Sequence, residues 1–134
     1  AQKRVGPLDQ LDRLVFLINI LINTPVPALH WTVGCADLAG RSLTYYDSCG
    51  GNLEEFFPVV KRFLADHGAL DTADWEERTP GPEEVPQQQN DTDCGVFASK
   101  FAEALALGKP FDFDQRDMPR FRRRITLDIV DTQI

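Results

Sequence analysis

Ten residues near the start, RLVFLINILI at positions 13–22, constrain the fold more than any other stretch. The run is apolar and rich in β-branched and aromatic side chains, which reads as a strand buried on both faces. It is far too short to span a bilayer, which takes about 20 apolar residues. No charged-then-apolar signal segment precedes it. The prolines of NTPVPA at 23–28 end it, because proline is not tolerated inside a central strand.

HWTVGCAD at 30–37 and SLTYYD at 42–47 then read as a hairpin turning at Ala39-Gly40. Leu53, Phe56, Phe57, Val60, Phe63 and Leu64 recur at helical spacing and predict a helix over 52–67. Pro58 should kink that helix or mark its true start, and Gly68 is a C-cap candidate. Residues 71–93 are polar and rich in Pro, Glu and Gln, with one short strand expected around Trp75. A helix is expected from Cys94, capped by Asp93 or Thr92, to about Leu107, where Gly108 and Pro110 stop it. A last helix, capped by Asp112 or Asp114, should bury Met118, Phe121, Ile125 and Ile129. The predicted class is α+β: a small mixed or antiparallel sheet packed on the helix that begins at Cys94.

With 134 residues, positions 1–134 form at most one domain. The chain opens on Ala and enters its apolar run almost at once, so it reads as a piece of a longer protein, a partial domain. A net charge of −7 argues against nucleic acid as a partner, since phosphate binding needs clustered Lys and Arg. The one basic cluster, Arg120 with Arg122, Arg123 and Arg124, reads as a solvated helix face. Three cysteines, widely spaced and odd in number, make neither a disulfide framework nor a zinc pattern, which favours a reducing, intracellular compartment. Two histidines nearly exclude a multi-histidine metal site. Neither a membrane nor a cofactor is expected, and the chain reads as a monomer.

Cys94 is the first candidate for chemistry. A thiol attacks as thiolate, and a helix N-terminus beside an imidazolium favours that form. NDTDCG supplies polar capping residues, then Cys, then a Gly that lets a substrate backbone approach. Alone, D-C-G is too short to be specific, because Cys94, Phe97, Ala98, Phe101 and Leu105 also form an ordinary apolar stripe. Parity adds weight. If the hairpin turns through two residues at 39–40, or four at 38–41, Asp47 faces Thr32, and Thr32 shares a sheet face with His30. His30 and Asp47 then become diagonal neighbours, about 7–8 Å apart at the backbone. A three-residue loop would separate them. Thr32, Gly34 and Ala36 on that face are small and leave room for the Cys94 helix to pack. Separately, His30 is an edge histidine and Asp47 a turn residue; together with a capped cysteine they suggest a Cys-His-Asp triad. An oxyanion donor would come from Gln87, Gln88 or Gln89, which the residues alone do not distinguish.

HWTVGCADLAGRSLTYYDSCGGN, VPQQQNDTDCGVFASKFAEAL and FDFDQRDMPRFRRRITLDIV resemble, in order and spacing, the catalytic core of Ulp/SENP-type SUMO proteases. The H-W pair, the Y-Y-D-S strand end, P-Q-Q-x-N-x-x-D-C-G and the closing M-P-x-F-R helix carry the resemblance, from about residue 13 onward. It implies a papain-like cysteine protease fold with His30, Asp47 and Cys94 as the triad. It also implies Gln88, six residues before Cys94, as the oxyanion-hole donor, and Trp31 as the cover of a channel for the Gly-Gly tail of a modifier. The implied reaction is hydrolysis of the peptide or isopeptide bond after that Gly-Gly, with SUMO or a related ubiquitin-like modifier and its conjugates as partners. The implied location is the nucleus or cytoplasm. The family's upstream helical lobe has no counterpart in these residues, Cys49 stands where Leu or Met is usual, and Pro58 interrupts a helix usually continuous. Alternatives are a protease for another modifier, an acetyltransferase-like relative with the same triad order, and a non-catalytic modifier-binding module.

Overall fold

The computed structural model describes residues 8–132 apart from 24 and 26, so the break at 23–28 lies partly outside the described residues. Strand β1 (Arg13–Asn23) pairs antiparallel with β2 (Pro27–Asp37) along its length, Asn23 opposite Pro27. Pro27, with no N–H to donate, takes the first position of its strand. β2 pairs antiparallel with β3 (Ser42–Tyr46), and β3 runs parallel to the short β4 (Glu76–Arg78), which follows the buried Trp75. Among the described residues the sheet is mixed, in the order β1-β2-β3-β4.

That order makes β1 an edge strand, not one buried on both faces. Leu17 and Leu21 are 59% and 61% exposed. The helix covering their face reaches Val15 but neither of them. The β2–β3 hairpin turns through four residues, 38–41, closed by the pair Asp37 and Ser42. Asp37 Oδ1 accepts from the Gly40 N–H at 2.8 Å, and Arg41, not Gly40, takes the left-handed backbone.

Helix α1 (Phe56–Gly68) begins later than its apolar spacing suggests. Pro58 sits in its first turn, where a missing N–H costs nothing. The left-handed cap is Ala69 rather than Gly68, its N–H closing on the Leu64 carbonyl. α1 also takes the place foreseen for the Cys94 helix. It packs on the His30–Thr32–Gly34–Ala36 face, in a core with Ala36, Leu43, Tyr45, Leu64 and Trp75. Gly34 is what admits it, since a Cβ there would run into the Phe56 ring.

Helix α2 (Cys94–Leu107) covers the opposite face, where Val33 meets Phe97 and Phe101. Its C-terminus closes on a left-handed Gly108. A 3-10 turn (Gln115–Asp117), boxed by Asp114, leads into α3 (Met118–Asp131). Met118 is buried and Phe121 and Ile125 partly so, but Ile129 is exposed, because the last turns of α3 run past the core. No helix among the described residues is long and apolar enough to cross a membrane.

Asp93 stands at the N-cap position of α2, yet its carboxylate caps nothing. It accepts instead from Arg122 Nε at 2.6 Å, Asn90 Nδ2 at 2.8 Å and Gln115 Nε2 at 2.9 Å. Arg122 also donates to the Thr92 carbonyl at 2.7 Å. One member of the basic cluster is therefore structural, clamping α3 to the segment before α2. The hydrogen bonds, that from Asn90 foremost, hold the buried Asp93 carboxyl below its ordinary range.

Two outcomes follow. Gly34→Ala should destabilise the fold by about 1–3 kcal/mol, the usual cost of overpacking, as a lower urea midpoint. A midpoint equal to that of the parent would mean Phe56 yields freely. Asp93, with a depressed folded pKa, contributes stability that is present above its unfolded value near 3.9 and lost as pH falls through the depressed value. Arg122→Ala should therefore cost about 1–3 kcal/mol at pH 7, less than a fully buried pair because the guanidinium is half-exposed. The deficit should shrink as pH is taken from 7 down through that depressed value. An equal deficit at both ends of that range would remove Asp93 from the explanation.

Candidate active site

The β2–β3 ladder stops at Val33 and Tyr46, and His30 lies beyond its end on β2. Asp47 is the first residue after β3, so the chain leaves the sheet carrying a carboxylate directly towards that gap. His30 Nε2 and Asp47 Oδ1 lie 2.7 Å apart, and both side chains are about 5% exposed. The four-residue turn sets the register that puts them on one face.

Asp47 is held as well as paired. The Cys49 N–H donates to Oδ1 at 2.8 Å, and the Gly50 N–H donates to the Asp47 carbonyl at 3.1 Å. Gly51 then passes so close that a Cβ would stand 2.5 Å from Asp47 Oδ2. The run S-C-G-G is thus a tight wrap around one carboxylate, in which small residues are needed for the chain to pass.

Cys94 opens α2, with its side chain at the positive end of the helix, and is buried. The thiol is close enough to the His30 ring to help raise its pKa. Since Asp47 engages Nε2, the nitrogen left for the thiol is Nδ1. The pKa of His30 is raised from its ordinary value, chiefly by the Asp47 hydrogen bond. Burial opposes this, and the Asp47 charge and Cys94 add to it. The remaining thiols differ. Cys35 is buried on the other face of β2, where desolvation pushes it up to about 11. Cys49 is exposed, but partial desolvation of its sulfur and then the neighbouring Asp47 charge push it, too, up to about 11.

The three glutamines have different surroundings. Gln87 spends its amide on the carbonyls of Asp47, Val85 and Pro86. Gln89 is exposed, and its backbone N–H donates to Gln115 Oε1 at 2.8 Å. Gln88 is half-buried, its Oε1 accepting from the Ser48 hydroxyl and its Nε2 donating to the Asn90 carbonyl at 2.6 Å. Trp31 is 40% exposed and lies over the first turn of α2, its Cδ1 3.8 Å from the Cβ position at Gly95.

His30, Asp47 and Cys49 bring donor atoms within 4.8 Å of one another. Two ligands of one zinc ion sit about 3.3 Å apart, given bonds near 2 Å and tetrahedral angles. The 2.7 Å between His30 and Asp47 is instead a hydrogen-bond distance. Together, His30, Asp47 and Cys94 can hold a proton on His30, pass one between imidazole and thiol, and stabilise the imidazolium.

What single residues did not reveal is the clamp on Asp93. Its signal lay in the motifs themselves: Asn90 and Asp93 belong to P-Q-Q-x-N-x-x-D-C-G, and Arg122 to M-P-x-F-R. The two stretches occur together because they bond each other. Ser48 was marked only by its place in Y-Y-D-S, which assigned it no role.

Comparison with known proteins places the chain. Human Sentrin-specific protease 2 is 31% identical over 112 residues, which cover 79% of this chain and 19% of that protein. Human Sentrin-specific protease 5 is 32% identical over 132 residues, covering 95% of this chain and 17% of the relative. The chain thus spans about a fifth of the length of these curated relatives. Among solved structures, the SUMO protease Ulp1 with its catalytic cysteine oxidised to a sulfenic acid superposes with a TM-score of 0.72 at 26% identity, over 90% of this chain and 53% of that one. The Ulp1-like SUMO protease catalytic domain of Chaetomium thermophilum gives 0.61 at 28% identity, over 83% and 43%. The family model described as "Ulp1 protease family, C-terminal catalytic domain" matches residues 7–133, nearly the whole sequence, and the chain belongs to that family.

Proposed function

We propose that residues 1–134 are the catalytic part of an intracellular cysteine protease that cleaves after the C-terminal Gly-Gly of SUMO or a related ubiquitin-like modifier. The carrying observation is the pairing of buried His30 with Asp47 at 2.7 Å while Cys94, at a helix N-terminus, lies close enough to the same ring to help raise its pKa. Cys94 attacks the glycyl carbonyl after His30 Nδ1 takes its proton. The Cys94 N–H and Gln88 hold the oxyanion, and the imidazolium returns its proton to the leaving amine. Water activated by His30 then hydrolyses the thioester. Asp47 keeps the proton on Nε2 and so keeps Nδ1 basic. Trp31 lies over Gly95, the residue after Cys94, and a tail without side chains suits the close approach to Cys94 beneath it. The names of the relatives support SUMO as the modifier, and maturation and deconjugation in the nucleus or cytoplasm are the settings this implies.

Alkylation tests the activated nucleophile without needing a modifier-binding surface. A thiol with a pKa of about 11 is only about one part in 10⁵ ionised at pH 6. Iodoacetamide at that pH should therefore label Cys94 well before Cys35 or Cys49, read by peptide mass. His30→Ala should remove the preference. Because the folded pKa of His30 is raised, the preference should persist above pH 6.5 and fade only as pH passes that raised value. Labelling first at Cys49, or equal Cys94 rates with and without His30, would contradict the proposal and favour a binding module.

Substrate class is read separately, with SUMO and ubiquitin each carrying a C-terminal vinyl sulfone. A covalent adduct of SUMO at Cys94, absent in Cys94→Ala, is the expected result. An adduct with ubiquitin and none with SUMO would reassign the modifier.

A further inference from the structure

We propose that Ser48 is a positioning residue for the oxyanion hole, holding the oxygen end of the Gln88 amide so that its NH₂ faces the reacting carbonyl. The inference rests on reading Gln88 as the donor. A side-chain amide presents a carbonyl oxygen on one side and an NH₂ on the other, and only the NH₂ stabilises an oxyanion. A rotation of the amide by a half turn would aim oxygen at oxygen and replace attraction with repulsion. The donor therefore needs something that tells its two ends apart.

Ser48 does that. Its side chain is among the most fully buried in the protein, at 1% exposure. Its hydroxyl donates to Gln88 Oε1, so the oxygen end of the amide is held at Ser48. The backbone ties the same two residues again, the Gln88 N–H donating to the Ser48 carbonyl at 2.8 Å. Held by side chain and main chain, Gln88 has its Nε2 directed away from Ser48. One N–H of that nitrogen goes to the Asn90 carbonyl at 2.6 Å; the other has no partner among the described residues and, with Gln88 as donor, serves the substrate oxygen. Ser48 also directly follows Asp47. A single dipeptide at the end of β3 thus orients the general base through one residue and the oxyanion donor through the next. The Asp47 wrap then has a second role, because the bonds from the Cys49 and Gly50 N–H groups also fix the backbone that carries Ser48.

The test compares two reactions of Cys94 that differ in one respect. Attack on a small Gly-Gly p-nitrophenyl ester develops an oxyanion, whereas iodoacetamide alkylation does not. Ser48→Ala should slow the p-nitrophenol burst about 10- to 100-fold, as a misaimed donor does, and leave the Cys94 alkylation rate unchanged. Gln88→Ala should slow the burst about 10²- to 10³-fold. The double variant should be no slower than Gln88→Ala, since Ser48 acts only through Gln88. Ser48→Thr, which keeps the hydroxyl, should retain most of the burst rate and serves as the folded comparison if the alanine variant unfolds. A silent Ser48→Ala beside a slow Gln88→Ala would overturn the role of Ser48 and leave that of Gln88 standing. A silent Gln88→Ala would overturn both. Loss of alkylation along with the burst in Ser48→Ala, or a slow burst with normal alkylation in Ser48→Thr, would make Ser48 a packing residue and overturn the proposal.

Discussion

The 2.7 Å hydrogen bond between His30 Nε2 and Asp47 Oδ1 is the contact around which the rest is arranged. It joins the outer half of β2 to the residue that ends β3, so it exists only if the hairpin turns through an even number of residues. It also selects the ring tautomer. With the proton on Nε2, Nδ1 is the basic nitrogen, and Cys94 is the group within its reach. Burial alone would lower the pKa of the histidine. Asp47 outweighs it, and the net shift is upward. The pair therefore adds stability that is fully present below the unfolded value near 6.5 and is lost as pH rises through the raised folded value.

Each side of this contact is reinforced by a short stretch of sequence that would otherwise look like loop filler. On the carboxylate side, the residues at 48–51 fold back on Asp47 through backbone N–H groups and a close glycine. On the thiol side, Asp93 gives up the capping role that its position suggests. It anchors Asn90, Gln115 and Arg122 instead, which ties the residues before Cys94 to α3. A buried carboxylate with three donors is stable where an unpaired one would cost several kcal/mol or take up a proton. The nucleophile is thus placed by a charge network one residue upstream of it, as well as by the packing of Phe97 and Phe101 below it.

Much of this was legible because it follows from period and parity. Strand alternation brings His30 and Asp47 to one face given a turn of two or four residues at Ala39-Gly40, and the turn has four. The cap-Cys-Gly order and the stripe through Phe97 and Phe101 were enough to begin a helix at Cys94. What the pattern could not give was layer assignment. Small residues at Thr32, Gly34 and Ala36 announce close packing but do not say which helix supplies it, and Phe56 of α1 fills the space. Likewise the run at 13–22 is apolar on both sides, but apolarity does not reveal that β1 lies at the edge with Leu17 and Leu21 uncovered. Caps failed where a stronger partner competed. Asp93 meets a guanidinium that local propensity does not include, and at the end of α1 the left-handed position falls one residue after the glycine.

The arrangement as a whole turns on the tautomer and charge of one imidazole, which nitrogen-detected NMR of the folded chain reads directly. The geometry predicts that His30 carries its proton on Nε2 when neutral, and that it titrates above 6.5. In Asp47→Asn that elevation should be lost while Cys94 remains in place. A neutral ring protonated on Nδ1, or a His30 that titrates at or below 6.5 with Asp47 intact, would contradict the Cys94–His30–Asp47 relay at its centre.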